Sequence, residues 1–215
     1  MHLVMFDIDG TLVDSSDFED ELYCQAIQSV INVSFNRDWS TYRHTSDSGI
    51  LNEIIEKNHL EKGAFEIHKK VKKAFIKLTG SYLKKQPVLE IKGAAAFIED
   101  LKTRKNICLA IATGGWQETA KLKLQSAGID IDGMSFSSSS DHISRIDIMK
   151  QAELNCGEND FLSKTYFGDA VWDKIACAQL DYNFILVGNQ IKHENQIDDF
   201  AAVEDVIQRA KLDAD

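Results

Sequence analysis

Proline and cysteine are scarce in this 215-residue chain, and long apolar runs are missing. Pro87 is the only proline. The four cysteines form no Cys-x-x-Cys pair and no cluster with histidine, which argues against a zinc site and a disulfide-built scaffold. No window approaches the roughly 18–20 apolar residues of a membrane span. The cysteines are Cys24, Cys108, Cys156 and Cys177, of which Cys108 and Cys177 lie in apolar stretches and are expected to be buried thiols.

The start of the chain and its composition favour a cytoplasmic protein. The first seven residues carry no basic leader, and their apolar run is too short for a signal peptide. Charged residues make up 27% of the chain and hydrophobic residues 44%, which is ordinary for a soluble globular protein. We therefore expect a reduced, cytoplasmic protein.

The charge is acidic overall but unevenly distributed. The 34 acidic and 24 basic side chains give a formal charge of −10. Residues 57–85 hold nine lysines and two glutamates, a net +7, so the other 186 residues sum to −17. An acidic chain is a poor general binder of nucleic acid or anionic membranes, and neither is expected as a partner. The basic stretch keeps anionic small molecules as candidate ligands.

The hydrophobic pattern divides the chain into a helical block and an alternating α/β part. Residues 2–7 predict a buried strand, and residues 16–87 predict helices only, with a cap at Ser15 or Ser16 for the first helix and at Ser46 or Asp47 for a later one. After Pro87, strands and helices alternate, which predicts a parallel sheet covered on both faces. The expected fold is therefore a Rossmann-like three-layer core (1–15 and 88–215) with the block 16–87 inserted after the first strand.

Polar residues follow several of the predicted strands, and ligands of such sheets bind beyond the carboxyl ends of the strands. Asp7 and Asp9 end the first strand, two residues apart, so one carboxylate could attack as a nucleophile while the other transfers a proton. The Asp-x-Asp-Gly pattern alone is weak, because it also occurs in ordinary acidic turns.

A second acidic pair follows a later strand. Asp169 and Asp173 would join Asp7 and Asp9 at one edge of the sheet, where like charges require a neutralising cation. Oxygen ligands without cysteine or histidine favour a hard ion, most simply Mg²⁺. The alternative is structural, with Asp169 as a helix cap and Asp173 solvated.

Thr113, Gly114 and Gly115 follow another predicted strand. A hydroxyl and exposed amides before a helix can form a small phosphate cradle, and glycine allows close approach of the anion. An ordinary strand–turn–helix connection explains this segment equally well.

Taken together, these motifs resemble three of the four motifs of the haloacid dehalogenase-like hydrolase superfamily. They stand in the right order, each at a predicted strand end, and the resemblance covers nearly the whole chain. The block 16–87 is similar in position to the small helical (C1-type) cap of the phosphoglycolate phosphatase-like branch. The segments are Asp7-Ile8-Asp9-Gly10-Thr11-Leu12-Val13-Asp14-Ser15, Thr113-Gly114-Gly115 and Gly168-Asp169-x-x-x-Asp173.

The resemblance implies a Mg²⁺-dependent phosphatase of a small phosphorylated metabolite. Asp7 would form an aspartyl-phosphate, and Asp9 would protonate the leaving group and then activate water. The metal would be held by the Asp7 carboxylate, the Asp9 backbone carbonyl, Asp169 and Asp173. Thr113 would bond a phosphoryl oxygen, with help from the neighbouring glycine amides.

The fourth motif departs from the family pattern. The family places a lysine near the start of the helix before the Gly-Asp strand, and this chain has Arg145 there. Arginine preserves the charge and can grip phosphate with two donors, so we expect Arg145 to contact phosphate. Lys150 is the rival cation, but five residues turn it about 140° away on a helix. A plain surface role for Arg145 is the other alternative.

Other functions and partners stay open at this point. A phosphosugar mutase would share Asp7, Asp9 and the cap, and a catalytically weak phosphate-binding or regulatory protein would fit the change at Arg145. Dehalogenase and phosphonate-hydrolase activities are disfavoured, since those branches lack an acid at the position of Asp9. Arg43 and His44, on a loop of the block, are candidates for contacting the rest of the substrate or are simply solvated. Monomer and homodimer are both compatible with the sequence.

Overall fold

The computed structural model describes residues 1–15, 18–157, 160–210 and 212. Six parallel strands form one sheet in the order β3-β2-β1-β4-β5-β6, so β1 lies at its centre between β2 and β4. This is the parallel α/β core that the sequence predicted. The strands are β1 (His2–Phe6), β2 (Ile107–Ala112), β3 (Ser135–Ser137), β4 (Ser163–Gly168), β5 (Asn183–Val187) and β6 (Gln196–Ile197).

Helices cover both faces of the sheet. Alternate residues of β1 point to opposite faces, so Val4 belongs to one buried cluster and Met5 to the other. One cluster contains side chains of α4 (Ala94–Lys102), α5 (Gln117–Ser126) and α8 (Val203–Ala210). The other contains side chains of α6 (Arg145–Leu154) and α7 (Val171–Leu180). None of the helices in the described ranges is long and apolar enough to cross a bilayer.

The segment between β1 and α4 is helical and has its own apolar cluster. It contains α1 (Glu19–Gln28), α2 (Asp47–Lys57) and α3 (Ala64–Leu83), with short 3₁₀ turns at Trp39–Thr41 and Glu61–Gly63. We call this helical segment the cap. Its cluster includes Tyr23, Ile54 and Phe75 and is completed by Trp116 of the core. The cap is therefore packed against the core.

The chain enters and leaves the cap at neighbouring points. Val13 and Glu90 form an antiparallel bridge, and the Asp14 amide donates to the Leu89 carbonyl at 2.9 Å. The Ile91 amide donates to the Leu12 carbonyl at 2.8 Å. The two connections thus run side by side at the base of the cap.

One of the two predicted helix caps is confirmed and the other is wrong. The Ser46 hydroxyl accepts from the Gly49 amide at 3.2 Å and caps α2 as expected. Helix α1 instead follows Phe18, which forms no side-chain cap. The Ser15 hydroxyl instead donates to Asp9 Oδ1 at 2.5 Å. Ser16, the other expected cap residue, lies outside the described residues.

The expectation of a buried thiol is correct for Cys177 but wrong for Cys108. Cys108 of β2 and Cys156, just after α6, form a disulfide, while Cys24 and Cys177 are buried free thiols. The pair is separated by 48 residues in sequence. Helix α6 packs across β2, and this tertiary contact brings the two sulfurs together.

Candidate active site

The carboxyl ends of the central strands and the cap enclose a cavity of about 280 Å³. The loops after β1, β2 and β4 form its floor, as expected for a parallel sheet. The cap forms the opposite wall. The predicted residues that line the cavity are Asp7, Asp9, Thr113, Gly114, Gly115, Arg145 and Asp169.

Asp7 lies at the centre of the floor. Its amide donates to the Phe167 carbonyl at 2.9 Å, which extends the pairing of β1 with β4. Its carboxylate is 4% exposed, and burial raises its pKa although Arg145 opposes the shift. Among the described residues, its Oδ1 has no well-aligned hydrogen-bond donor. A buried carboxylate oxygen that lacks a well-aligned donor is suited to an incoming ligand or cation.

Arg145 lies beside Asp7, at the start of α6. Its side chain is 9% exposed, with Nη1 3.2 Å from Asp7 Oδ1 and Nε 3.4 Å from Asp173 Oδ1. Burial lowers the pKa of Arg145, but the two carboxylates outweigh this and raise it. The rival cation Lys150 is exposed on the same helix and does not line the cavity. The guanidinium therefore supplies positive charge next to the candidate nucleophile.

Three of the predicted carboxylates converge closely. Ligand oxygens of Asp7, Asp169 and Asp173 all lie within 4.8 Å of one another. Burial, together with the neighbouring acids, raises the pKa of Asp169 to about 8. Burial raises that of Asp173 to about 7 against the opposing effect of Arg145. These residues fit a hard divalent cation, which would restore the ionised forms.

Neither structural alternative for the second acidic pair holds. Asp173 is fully buried, and its Oδ2 accepts from the Ala170 amide at 3.3 Å. Ala170, not Asp169, occupies the N-cap of α7. Tyr166, which is also buried, lies with its hydroxyl 3.4 Å from Asp173 Oδ1 and fixes that carboxylate from below.

Asp9 lines the cavity, but its carboxylate lies outside the cluster of three. Its Oδ1 accepts from Lys123 Nζ at 2.5 Å and from Ser15 at 2.5 Å. Lys123 is 0% exposed and also contacts Glu19 of the cap. Burial alone would raise the pKa of Asp9, but Lys123 outweighs it and lowers the pKa. A buried ammonium thus fixes Asp9 in its ionised form.

The segment after β2 forms a tight cradle. Thr113 is 1% exposed, and its Oγ1 accepts from the Gly115 amide at 3.1 Å. A Cβ added to Gly114 would lie 2.9 Å from both Arg145 Nη2 and the Thr45 carbonyl. Glycine at position 114 therefore lets the backbone approach the guanidinium and the cap closely.

The cap meets the core at the start of α2. The Asp47 amide donates to the Gly114 carbonyl at 2.8 Å, and Asp47 Oδ2 accepts from the Trp116 amide at 2.7 Å. The Trp116 indole donates to Ser48 at 2.7 Å. Burial raises the pKa of Asp47 to about 7, against the opposing effect of Lys123. The wall opposite Asp7 therefore carries its own carboxylate.

The structure does not bring Arg43 and His44 to the cavity that holds Asp7. They line a neighbouring cavity between the cap loop and α7. Arg43 is exposed, and its guanidinium contacts Glu53 at 3.4 Å and also pairs with Glu56.

The sequence did not identify Glu19, Asp47 or Lys123 as residues of the site. Of these three, only Lys123 could have been identified from the sequence. It stands three residues after Ala120 and directly before Leu124, which are both buried, so it lies on the apolar face of α5. Glu19 and Asp47 stand in the first turns of α1 and α2, where acids are common for reasons of helix electrostatics. Their approach to the cavity follows from the docking of the cap.

Comparison with known proteins was made on sequence and on structure. Residues 4–187 match the family described as haloacid dehalogenase-like hydrolase. The comparison with curated proteins returned no match.

Several solved structures share the fold over nearly their whole length. β-Phosphoglucomutase from Clostridium difficile superposes with a TM-score of 0.73 at 15% identity, covering 98% of this chain and 97% of that one. CbbY from Rhodobacter sphaeroides, solved with phosphate, gives 0.69 at 13% identity, covering 94% and 95%. A putative phosphoglycolate phosphatase from Lactobacillus plantarum gives 0.63 at 14% identity, covering 96% and 98%. At these identities the likeness shows the fold alone.

Proposed function

Because the chain belongs to the haloacid dehalogenase-like hydrolase family, we propose that it is a Mg²⁺-dependent phosphatase that hydrolyses the phosphomonoester of a small phosphorylated metabolite. The observation that carries the proposal is the position of Asp7. Its carboxylate lies in the cavity beside the Arg145 guanidinium and clusters with those of Asp169 and Asp173, and its Oδ1 has no well-aligned donor among the described residues. Phosphoryl transfer depends mainly on such positioning and charge neutralisation.

Two carboxylates would divide the chemistry. An Asp7 oxygen attacks phosphorus, the bond from phosphorus to the leaving oxygen breaks, and an aspartyl-phosphate forms. Because Lys123 favours the ionised form of Asp9 in the free protein, Asp9 must take up a proton when the phosphate ester binds. It then gives this proton to the leaving oxygen and regains one from the water that attacks the aspartyl-phosphate. Lys123 and Ser15 would position Asp9 for this role, because both donate to its Oδ1 while the residue lines the cavity.

The remaining groups would bind the phosphoryl oxygens and the metal. Thr113 and the Gly114 amide act as donors to phosphate, and Arg145 neutralises its charge. Asp7, Asp169 and Asp173 would hold Mg²⁺, with the Asp9 carbonyl as a further ligand. When bound, the ion would neutralise charge on the phosphoryl group.

Two alternatives make different predictions. A phosphosugar mutase would return the phosphoryl group to a sugar, so isomerised sugar phosphate would appear and a bisphosphate would stimulate the reaction. A weak phosphate-binding protein would bind phosphate but release none from esters. The burial of Arg145 between Asp7 and Asp173 supports catalysis over this second alternative.

The proposal is tested by phosphate release from a generic aryl phosphate. We expect turnover with Mg²⁺ and none after removal of divalent ions with EDTA, because the ion that would neutralise charge on the phosphoryl group is then missing and its carboxylate ligands are partly protonated. Activity should return when Mg²⁺ is added back. Equal release with EDTA and with Mg²⁺ would contradict the metal assignment, and no release from aryl phosphates or a metabolite panel would contradict the phosphatase.

Arg145→Met is expected to lower kcat/KM by about 10²- to 10³-fold, since it removes one preorganised charge from the phosphoryl site. Arg145→Lys should retain more activity than Arg145→Met, because an ammonium keeps the charge but cannot reach Asp7 and Asp173 together. The matched control is Lys150→Met on the exposed face of α6. Equal losses of kcat/KM in Arg145→Met and Lys150→Met would contradict the assignment of Arg145 to the phosphoryl site.

A further inference from the structure

We propose, building on the phosphatase function, that the cavity selects phosphomonoesters whose leaving group is uncharged or cationic and carries hydrogen-bond donors. Phosphorylated polyols or amino alcohols fit this description, whereas phosphorylated acids and bisphosphates do not. The observation is the composition of the cap wall. It contributes three carboxylates, Glu19, Asp20 and Asp47, and no lysine, arginine or histidine among the described lining residues.

The three carboxylates are held in different ways but all face the cavity. Asp47 is fixed by the Trp116 amide through one oxygen only. Asp20, at the outer end, accepts from the Trp39 indole at 2.7 Å. Glu19 is paired with Lys123, whose single charge is shared with Asp9. Burial and Asp9 raise the pKa of Glu19, and Asp9 already matches the charge of Lys123, so the negative charge of the wall comes from Asp20 and Asp47.

Above pH 7, where Asp47 is mostly ionised, a negative group on the substrate would meet the carboxylates of Asp47 and Asp20 at the cavity wall. Two negative groups that share one small cavity repel each other more strongly than they would in water, because the surrounding medium is less polar. The anion would have to face Asp47 directly or bring a proton with it. An ammonium would instead be attracted, and hydroxyl groups could donate to the free carboxylate oxygens.

Aromatic side chains complete the wall. Trp39 of the cap and Trp172 of α7 line the cavity together with the acids, whereas the Tyr23 ring is buried against other aromatic side chains. Ring faces bind cations and pack against the C–H groups of small polyols. Rings next to carboxylates are thus a suitable surface for ammonium or hydroxyl-bearing groups and a poor one for carboxylates.

The basic residues of the cap do not alter this charge pattern. Eight of the nine lysines in residues 57–85 are exposed, and the half-buried Lys72 pairs with Glu118 at 2.8 Å. None of them lines the cavity. Arg43 lies in the neighbouring cavity and is paired with two glutamates. Arg145, on the floor, is the one cation of the described lining and is used by Asp7.

Three two-carbon substrates of nearly equal size test the proposal. Phosphoethanolamine carries an ammonium, 2-hydroxyethyl phosphate a hydroxyl and phosphoglycolate a carboxylate. We expect kcat/KM for the first two to exceed that for phosphoglycolate by about 30-fold or more. Equal or faster hydrolysis of phosphoglycolate would overturn the selectivity.

The same compounds also separate failure of the selectivity from failure of the function. Each is measured as an inhibitor of aryl phosphate hydrolysis and as a ligand by calorimetry with Mg²⁺. If no phosphate ester is hydrolysed, the phosphatase fails, but binding still decides the selectivity. Tighter binding of phosphoethanolamine than of phosphoglycolate supports it, and equal or reversed affinity contradicts it.

Asp47→Asn identifies the residue that carries the discrimination. The amide oxygen can still accept from the Trp116 N–H, so the charge is lost while the contact is kept. We expect the ratio of kcat/KM for phosphoethanolamine to that for phosphoglycolate to fall about tenfold. The control is Glu118→Gln, which removes an exposed charge at the edge between cap and core but outside the cavity. An unchanged preference in Asp47→Asn, or the same narrowing in Glu118→Gln, would overturn the proposal.

Discussion

Asp7→Asn is expected to abolish phosphate release, with a loss on the order of 10⁴-fold or more, as for other nucleophiles that act within a catalytic unit. An amide oxygen is a poor nucleophile and cannot carry the phosphoryl group. The fold should persist, because burial already raises the pKa of Asp7 and a neutral isostere relieves its repulsion from Asp169 and Asp173. The melting temperature without metal should therefore be unchanged or higher.

The measurement is single-turnover phosphate release, with the melting curve of each variant recorded in parallel. The matched control is Asp147→Asn at an exposed position of α6, which should leave the rate of phosphate release unchanged. Mass spectrometry of the variant excludes deamidation that regenerates Asp7. Release above about 1% of the wild-type rate by an intact variant would mean that another group attacks phosphorus.

Lys123→Met should lower the free energy of unfolding by about 3–5 kcal/mol, the usual cost of removing one partner from a buried ion pair. Burial lowers the pKa of Lys123, but Asp9 and Glu19 outweigh it and raise the pKa, so the ammonium stays charged inside the protein. Without it, the partly buried carboxylates of Asp9 and Glu19 face each other. Chemical denaturation measures the change, and Lys121→Met, an exposed lysine of the same helix, should cost less than about 1 kcal/mol.

A double variant separates the structural role of Lys123 from its effect on Asp9. Lys123→Met with Glu19→Gln removes the repulsion and should recover much of the lost stability. If Lys123 also positions Asp9, kcat should stay about 10- to 100-fold low and its pH profile should shift. Full recovery of both stability and kcat would assign Lys123 to folding alone.

The sheet and the residues at its edge were predictable because both follow from local patterns. Continuous apolar runs mark the strands, as in β2 (Ile107–Ala112), where every residue is apolar. Once the strands are parallel, their ends must meet, which brings Asp7, Thr113 and Asp169 together. The short strand β6 was missed, since two residues give no periodic signal.

The residues that sequence reasoning missed depend on how the cap docks. Nothing in the first turn of α2 indicates that the Asp47 carboxylate accepts a hydrogen bond from the Trp116 amide of the core. Likewise Cys108 and Cys156 meet through the packing of α6 on β2, a relation that spacing alone does not encode. Such long-range contacts arise from packing between elements, whereas the motifs lie within single loops.

The adjacency of the two connections at the base of the cap has an evolutionary consequence. Because Val13 and Glu90 lie paired, the intervening residues leave and rejoin the core at nearly one point. An insertion whose ends lie side by side does not disturb the surrounding sheet. Its length also matters little, because closing the ends of a long segment costs only slightly more entropy than closing those of a short one. Exchange of the whole segment between relatives would therefore alter one wall of the cavity while leaving Asp7 and Asp169, at the ends of β1 and β4, undisturbed.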